Sequence, residues 1–171
     1  MFKKMITAVL AMSILVLSGC SGKSSDSQTA AKTPEELTAL YAQAITDNGG
    51  EMVEYNPVLS EVNEESAMLL EMMGLKEEDM AAFGVSTTMM NVKAYGIAAV
   101  MPVEGKTDAV KESLQGFIDQ KQMEFEFYLP DQRPIAENAR LEVLEDGTVL
   151  MVMIEDQDTV FENISNAILG K

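Results

Sequence analysis

The sequence contains no histidine, no tryptophan and a single cysteine, Cys20, among its 171 residues. Without histidine the chain cannot form a Ser-His-Asp or Cys-His catalytic group, a histidine metal site or a side chain that titrates near neutral pH. Basic residues are also few, because 12 Lys and Arg stand against 28 Asp and Glu, which gives a formal charge of −16. Since phosphate binding needs a basic patch, this composition argues against nucleic acid as a partner.

The first twenty residues have the features of a bacterial export signal. Two basic residues, Lys3 and Lys4, precede an apolar run over 5–17 that is too short to span a membrane, since a span needs about 20 residues. The run ends in Leu17-Ser18-Gly19-Cys20, which resembles the lipobox of bacterial lipoproteins. The resemblance implies cleavage just before Cys20 and a diacylglyceryl group on its sulfur. The alternative is an ordinary signal peptide in which Cys20 has no role.

This interpretation divides the chain into a lipoprotein signal peptide (1–19), a flexible Ser-rich tether (20–32) and a single domain (33–171). A tether of this length has a root-mean-square reach of roughly 20 Å. Because two acyl chains anchor a protein stably, we expect the domain to be held at the cell membrane, facing the outside of the cell. Removing the signal peptide takes away two lysines and leaves a charge of −18. This charge would repel the domain from anionic lipids and leave the anchor as its contact with the membrane.

Apolar residues at helical spacing predict five helical segments. The first has a capping signature in Thr33, Pro34 and Glu36, and the last has one in Thr159 and Glu162. The predicted segments are a first helix over 33–48, a second over 61–73, a short turn around 77–83, a long helix over 107–127 capped by Thr107, and a last helix from 159.

Three other segments predict strands. Val92–Val103 has small and apolar residues on both faces, which is typical of a strand buried on both sides or of one with small residues under a helix. Asp146-Gly147 separates Ala139–Glu145 from Thr148–Ile154 and predicts a hairpin whose second strand, having no polar face, is central. The predicted fold class is therefore α+β. A small antiparallel sheet, including a C-terminal β-hairpin, is packed by a long central helix and by flanking N- and C-terminal helices.

The segment from Met90 to Phe161 resembles the clostridial-type bacterial lipoproteins known as domain of unknown function 4358. The resemblance is carried by short motifs along the predicted elements: Met90-Asn91-Val92, Asp108-Ala109-Val110, Gln120, Phe125, Tyr128-Leu129-Pro130-Asp131-Gln132 and Asn138-Ala139. The chain departs from the family at Asp146-Gly147-Thr148, where a Gly-Asn-Tyr is expected, and in 98–103, where an expected lysine is absent. Because the family has no assigned activity, the resemblance implies a fold and a lipoprotein context but no chemistry.

The stretch from Tyr128 to Pro134 is the candidate binding site. Two prolines restrict this loop, and Tyr128, Gln132 and Arg133 could offer hydrogen bonds from a preset backbone. The alternative, which we favour, is structural: Pro130 ends the long helix, while Tyr128 and Gln132 bond the backbone of the connection.

Two further residue classes are abundant enough to consider as sites. The 14 methionines could bind Cu(I) or line a groove for a partner, but their spacing favours core packing. Acidic clusters near 61–79 and 155–158 lack the glycine-containing ladder of a calcium loop and are interpreted as solvated charge. We therefore expect no metal and no cofactor.

No motif of an enzyme is present in the sequence, such as a phosphate-binding loop or a nucleophile elbow. The leading hypothesis is thus a non-enzymatic surface lipoprotein that binds an envelope protein or a small ligand. The alternative is a small envelope hydrolase or carbohydrate-active enzyme, since two carboxylates at a suitable separation suffice for glycoside hydrolysis.

Overall fold

The computed structural model describes residues 32–171, so the predicted signal peptide, Cys20 and nearly all of the predicted tether lie outside the described residues. The helices and strands follow in the order α1 (Pro34–Asn48), α2 (Met52–Tyr55), α3 (Glu64–Met72), β1 (Met80–Thr87), β2 (Gly96–Pro102), α4 (Thr107–Tyr128), α5 (Arg133–Glu137), β3 (Arg140–Val143), β4 (Val149–Met153) and α6 (Gln157–Leu169). A single turn of 3₁₀-helix over Glu77–Asp79 precedes β1. In this part of the chain, no helix is long and apolar enough to span a membrane.

The four strands form one antiparallel sheet in the order β1-β2-β4-β3. The hairpin between β3 and β4 turns at Asp146-Gly147, where Gly147 adopts a φ of +91° that favours glycine. The Asp146 carboxylate accepts a hydrogen bond from the backbone N–H of Thr148 at 3.0 Å. The predicted hairpin and the central place of its second strand are both confirmed.

Side chains of β2 and β4 point alternately into two separate apolar cores. Ala98 and Met151 face the core formed with α3 and α4, whereas Ala99 and Leu150 face the core formed with α1 and α6. Since neither strand has a polar face, both sides of the sheet must be covered by helices. The result is a helix–sheet–helix sandwich, and the predicted α+β fold with its long central helix is confirmed.

One strand was missing from the sequence prediction. The predicted helical turn around 77–83 is wrong beyond Asp79, because Met80–Thr87 forms β1 at the edge of the sheet. Its alanines and Gly84 give a weak strand signal. They suit close packing against α1, since a methyl group added at Gly84 would lie 2.9 Å from Cβ of Tyr41.

Several predicted element starts are also corrected. α3 begins at Glu64 after an Asn63 cap, three residues later than predicted, and β2 begins at Gly96 instead of Val92. Thr107 is the first residue of α4 and not its cap. The predicted Thr159 capping box is wrong, because α6 already begins at Gln157 after Asp156 in a left-handed conformation. The capping box of Thr33 in α1 is confirmed by both of its bonds.

A buried hydrogen bond joins α1 to the start of β4. The Tyr41 hydroxyl lies 2.7 Å from Oγ1 of Thr148, and both residues are fully buried. Burial raises the pKa of Tyr41 to about 12, although the bond to Thr148 lowers it in part. The bond therefore satisfies two polar groups inside the core and fixes the position of α1 over the sheet.

Two glycines provide a matched test of the packing between α1 and β1. Gly84→Ala should lower the free energy of unfolding by about 1–3 kcal/mol, because the new methyl group must displace α1. Gly116→Ala in α4 should instead raise it by about 0.5–1 kcal/mol, since nothing lies within 4 Å of the added methyl group and alanine favours the helix. Urea unfolding of both variants measures the difference, and a neutral Gly84→Ala would contradict the described packing.

Candidate functional site

A cleft of about 470 Å³ opens at the end of the sheet where β2 begins and β4 ends. We call it the Gln132 cleft. Its walls come from the helices α2, α5 and α6 and from the residues just before β2 and just after β4, and its charged groups lie on the rim. It is lined by Gly50, Glu51, Met52, Tyr55, Lys93, Ala94, Tyr95, Gln132, Ile135, Ile154, Glu155, Asp156 and Val160.

The Gln132 cleft lies at the opposite end of the sheet from the start of the described chain. α1 runs along β1 from Pro34, near Met80, to its C-terminal end beside the start of β2. β1 and β2 are paired so that Met80 lies opposite Pro102 and Thr87 lies opposite Gly96. Consequently the cleft is one strand length away from the residues that connect to the N-terminal segment.

Gln132 is buried in the cleft wall and bonds the start of β2. Its Oε1 accepts a hydrogen bond from the backbone N–H of Ala94 at 3.1 Å, and its Nε2 donates one to Oδ2 of Asp131 at 2.9 Å. Only 5% of Gln132 is exposed. The bond from Gln132 lowers the pKa of Asp131, which keeps that carboxylate charged. Gln132 therefore joins the loop before α5 to the sheet and shapes the cleft.

Tyr95 is fixed by a second buried network. The Ser86 hydroxyl donates to the carbonyl oxygen of Asn56 at 2.6 Å and lies 2.6 Å from the Tyr95 hydroxyl. Because the single hydroxyl hydrogen of Ser86 goes to Asn56, Tyr95 donates to Ser86. Thr87 donates to the carbonyl oxygen of Tyr95 at 2.7 Å. Burial raises the pKa of Tyr95 to about 12, so its hydroxyl remains neutral in the physiological range.

The rim of the cleft carries more negative than positive charge. Glu51, Glu155 and Asp156 are exposed acids, and the basic residue in the lining is Lys93, whose Nζ lies 3.9 Å from Oε1 of Glu155. Tyr55 stands beside them with 79% of its surface exposed. The rim thus presents an aromatic ring, three carboxylates and one cation, which leaves a net charge of −2.

Of the three residues predicted from sequence as a binding site, the structure places Gln132 in the cleft wall. Tyr128 ends α4 with 70% of its surface exposed and is not among the residues that line the cleft. Arg133 begins α5 and makes ion pairs with Glu137 at 2.7 Å and Glu126 at 3.2 Å. The sequence pattern favoured a structural role in which Tyr128 and Gln132 bond the backbone of the connection. Gln132 does bond backbone, at Ala94. The exposed Tyr128 hydroxyl forms no hydrogen bond within residues 32–171.

The methionines and acids have mixed positions. Met73, Met151 and Met153 are core residues, whereas Met89 and Met90 are exposed in the connection between β1 and β2. The prediction that the methionines are core residues therefore holds for some of the methionines and not for others. In the described part of the chain, no group of three or more Asp, Glu, His or Cys side chains is arranged to hold a metal ion.

Sequence reasoning missed most of the cleft. The lining residues lie far apart in the sequence, with Tyr55 and Asp156 separated by 101 positions, so periodicity within one element cannot bring them together. Asp156 belongs to the acidic cluster at 155–158 that the sequence singles out, but that cluster was interpreted as solvated charge and not as part of a cleft. The φ of Asp156, +58°, is uncommon for a residue other than glycine.

A family model described as Domain of unknown function (DUF4358) matches residues 56–154. Since the match covers more than half of the chain, the protein belongs to this family. The matched region includes all four strands and α4, and it begins well before the segment from which the resemblance was read. No curated protein and no solved structure gives a significant match. The family region supplies Tyr95 and Gln132 to the cleft, while Tyr55 and Asp156 lie outside it.

Gln132→Leu tests the bond that forms the cleft wall. The substitution keeps the approximate size of the side chain but leaves the buried N–H of Ala94 without an acceptor. We expect the free energy of unfolding to fall by about 1–3 kcal/mol and the Ala94 amide to exchange faster with solvent. Gln43→Leu on the exposed side of α1 is the control and should change stability by less than about 0.5 kcal/mol. Equal stability of the two variants would show that the Gln132 bond does not hold this wall.

Proposed function

We propose that this protein is a bacterial surface lipoprotein, held at the cell membrane by a diacylglyceryl group on Cys20, whose Gln132 cleft binds a small ligand that carries positive charge. The anchor is supported by the lipobox-like Leu17-Ser18-Gly19-Cys20 after a basic and apolar leader. The binding role rests on one structural observation. The cleft combines an apolar floor, walls fixed by buried hydrogen bonds and a rim with excess carboxylates.

The position of the cleft fits this role. The described chain begins at the other end of the sheet, so a membrane anchor joined there through a tether leaves the cleft free to face away from the lipid. The net negative charge of the protein keeps the domain as a whole off the lipid surface, because anionic lipids repel it.

The rim determines the chemical class of the ligand. Glu51, Glu155 and Asp156 attract a cationic group, and the exposed ring of Tyr55 favours a cation through its π face. Tyr95 and Ile154 offer apolar contact below the rim. A ligand with an apolar body and an amine or guanidinium group fits both features, as do amino acids, polyamines and the basic side chains of peptides.

A hydrolase with paired carboxylates is the alternative, and the geometry supports it less well. That chemistry needs one carboxyl group that stays protonated because burial raises its pKa. The acids of the cleft rim, Glu51, Glu155 and Asp156, are all exposed. Exposed carboxylates of this kind suit attraction of a cation better than donation of a proton.

The anchor is tested by Cys20→Ala. The variant cannot receive the diacylglyceryl group, so we expect it to move from the membrane fraction to the soluble fraction or the medium. Metabolic labelling with a palmitate analogue should mark the wild-type protein and not the variant. A variant that remains in the membrane fraction as completely as the wild type would contradict the lipoprotein assignment.

The binding role is tested by thermal unfolding of the purified protein with arginine, lysine, spermidine and choline, and with glutamate and glucose as comparators. A ligand at a hundredfold excess over its dissociation constant adds about 2.7 kcal/mol to the free energy of unfolding. We expect a cationic compound, and not glutamate, to raise the midpoint.

The charge of the rim provides the matched control. The double variant Glu51→Gln/Glu155→Gln should lose the shift. Glu71→Gln/Glu112→Gln, which removes the same charge from exposed positions on α3 and α4, should keep it. An unchanged shift in the cleft variant, or shifts with glutamate or glucose alone, would refute the proposed ligand class.

A further inference from the structure

β1 is an edge strand that is covered along only part of its length. The strand order places β2 on one side of it, and on the other side Leu59 makes the one isolated bridge found among residues 32–171. Leu59 and Val85 exchange two backbone hydrogen bonds, of 2.8 and 2.9 Å. Residues 60–62, which follow Leu59, make no backbone hydrogen bond to β1, so the N-terminal half of β1 has no paired strand on this side within the described residues.

The backbone of Phe83 faces this open side. In a strand, the N–H and C=O groups of alternate residues point to the same edge. Val85 directs both groups outward to Leu59, and Phe83, two residues earlier, must therefore direct its groups outward as well. In the part of the chain that the structure describes, the backbone N–H and C=O of Phe83 have no hydrogen-bond partner on this side. Between Leu59 and the register irregularity at residues 80–82, the edge thus offers one donor and one acceptor, both on Phe83.

An open groove of about 530 Å³ lies along this edge. The first turn of α1, the chain at 60–62 and residues 80–83 of β1 form its sides. Val62 and Met80 supply apolar surface, and 51% of Val62 is exposed. The groove therefore has room for an extended chain beside Phe83.

The groove is acidic. Glu35, Glu61 and Glu77 line it, and its lining contains neither lysine nor arginine. All three carboxylates are exposed, and none takes part in an ion pair among residues 32–171. A positively charged ligand in the groove would form favourable electrostatic interactions with these three carboxylates, which have no basic partner among the described residues.

We propose that this groove binds an extended, basic segment of a partner protein, which adds to the sheet as a fifth strand next to β1. Backbone bonds to Phe83 supply the pairing, and Glu35, Glu61 and Glu77 select lysine or arginine side chains. A second copy of this chain is disfavoured as occupant, because pairing two β1 edges would bring six carboxylates together and both chains are strongly acidic. This site is independent of the Gln132 cleft, which lies at the other end of the sheet.

The probe is a fluorescent eight-residue peptide of alternating lysine and valine, whose binding to the purified protein is followed by anisotropy. We expect saturable binding that weakens as salt rises. A peptide of alternating glutamate and valine should not bind. The triple variant Glu35→Gln/Glu61→Gln/Glu77→Gln should bind the lysine peptide about tenfold more weakly. The matched triple variant Glu71→Gln/Glu104→Gln/Glu112→Gln should bind it as the wild type does.

Strand addition is separated from simple charge attraction by a second peptide. N-methylation of alternate residues preserves every lysine but removes backbone donors, so this peptide should bind at least tenfold more weakly. Hydrogen exchange should show new protection of the Phe83 amide with the unmodified peptide. Equal binding of the methylated peptide, or equal binding by the two triple variants, would overturn the proposal. A dimer that forms in solution and protects Phe83 without peptide would overturn it in favour of a second copy.

Discussion

The pairing of β2 with β4 is the interaction on which the rest of the structure depends. Their register places Ile97 opposite Val152 and Ala98 opposite Met151, and all four residues are completely buried. A strand pair with two apolar faces cannot leave either face to solvent. This constraint requires α1 and α6 on one side and α3 and α4 on the other. The small side chains of β2 let the helices approach closely, as at Gly96, where an added methyl group would lie 2.9 Å from the ring of Phe117.

A sheet covered on both faces leaves its ends and edges for binding. The ends of β2 and β4 meet below the Gln132 cleft, where Gln132 and Tyr95 use buried hydrogen bonds to hold three separate segments of chain. The other opening is at β1, the one long strand on an edge. Both openings have acidic surroundings, as the composition of the whole chain requires, and they lie at opposite ends of the molecule. The two proposed ligands therefore share a positive charge but differ in size and in the way they are held.

The parts of the fold that could be predicted are those specified by residues that are close together in the sequence. Asp146-Gly147 specifies a hairpin by itself, and the apolar run of β4 indicates a central strand without reference to other residues. Thr33 and Glu36 mark a helix start in the same way. β1 could not be predicted because Gly84 and its alanines give a weak strand signal and suit close contact with α1, which is a tertiary property. Gln132 was found through its proline-restricted loop, whereas Tyr55 and Asp156 join it only after the chain folds.

Native-state hydrogen exchange across residues 32–171 measures whether the doubly buried β2–β4 pair holds the fold together. We expect the amides of Ala98, Ala99, Leu150 and Met151 to exchange only by global unfolding, so that their exchange free energies equal the free energy of unfolding measured with urea. The amides of β1 near Phe83, at the open edge, should exchange through smaller local openings. If the β2 and β4 amides exchanged by local opening while α4 or β1 remained protected, the β2–β4 pair would not be what holds the fold together.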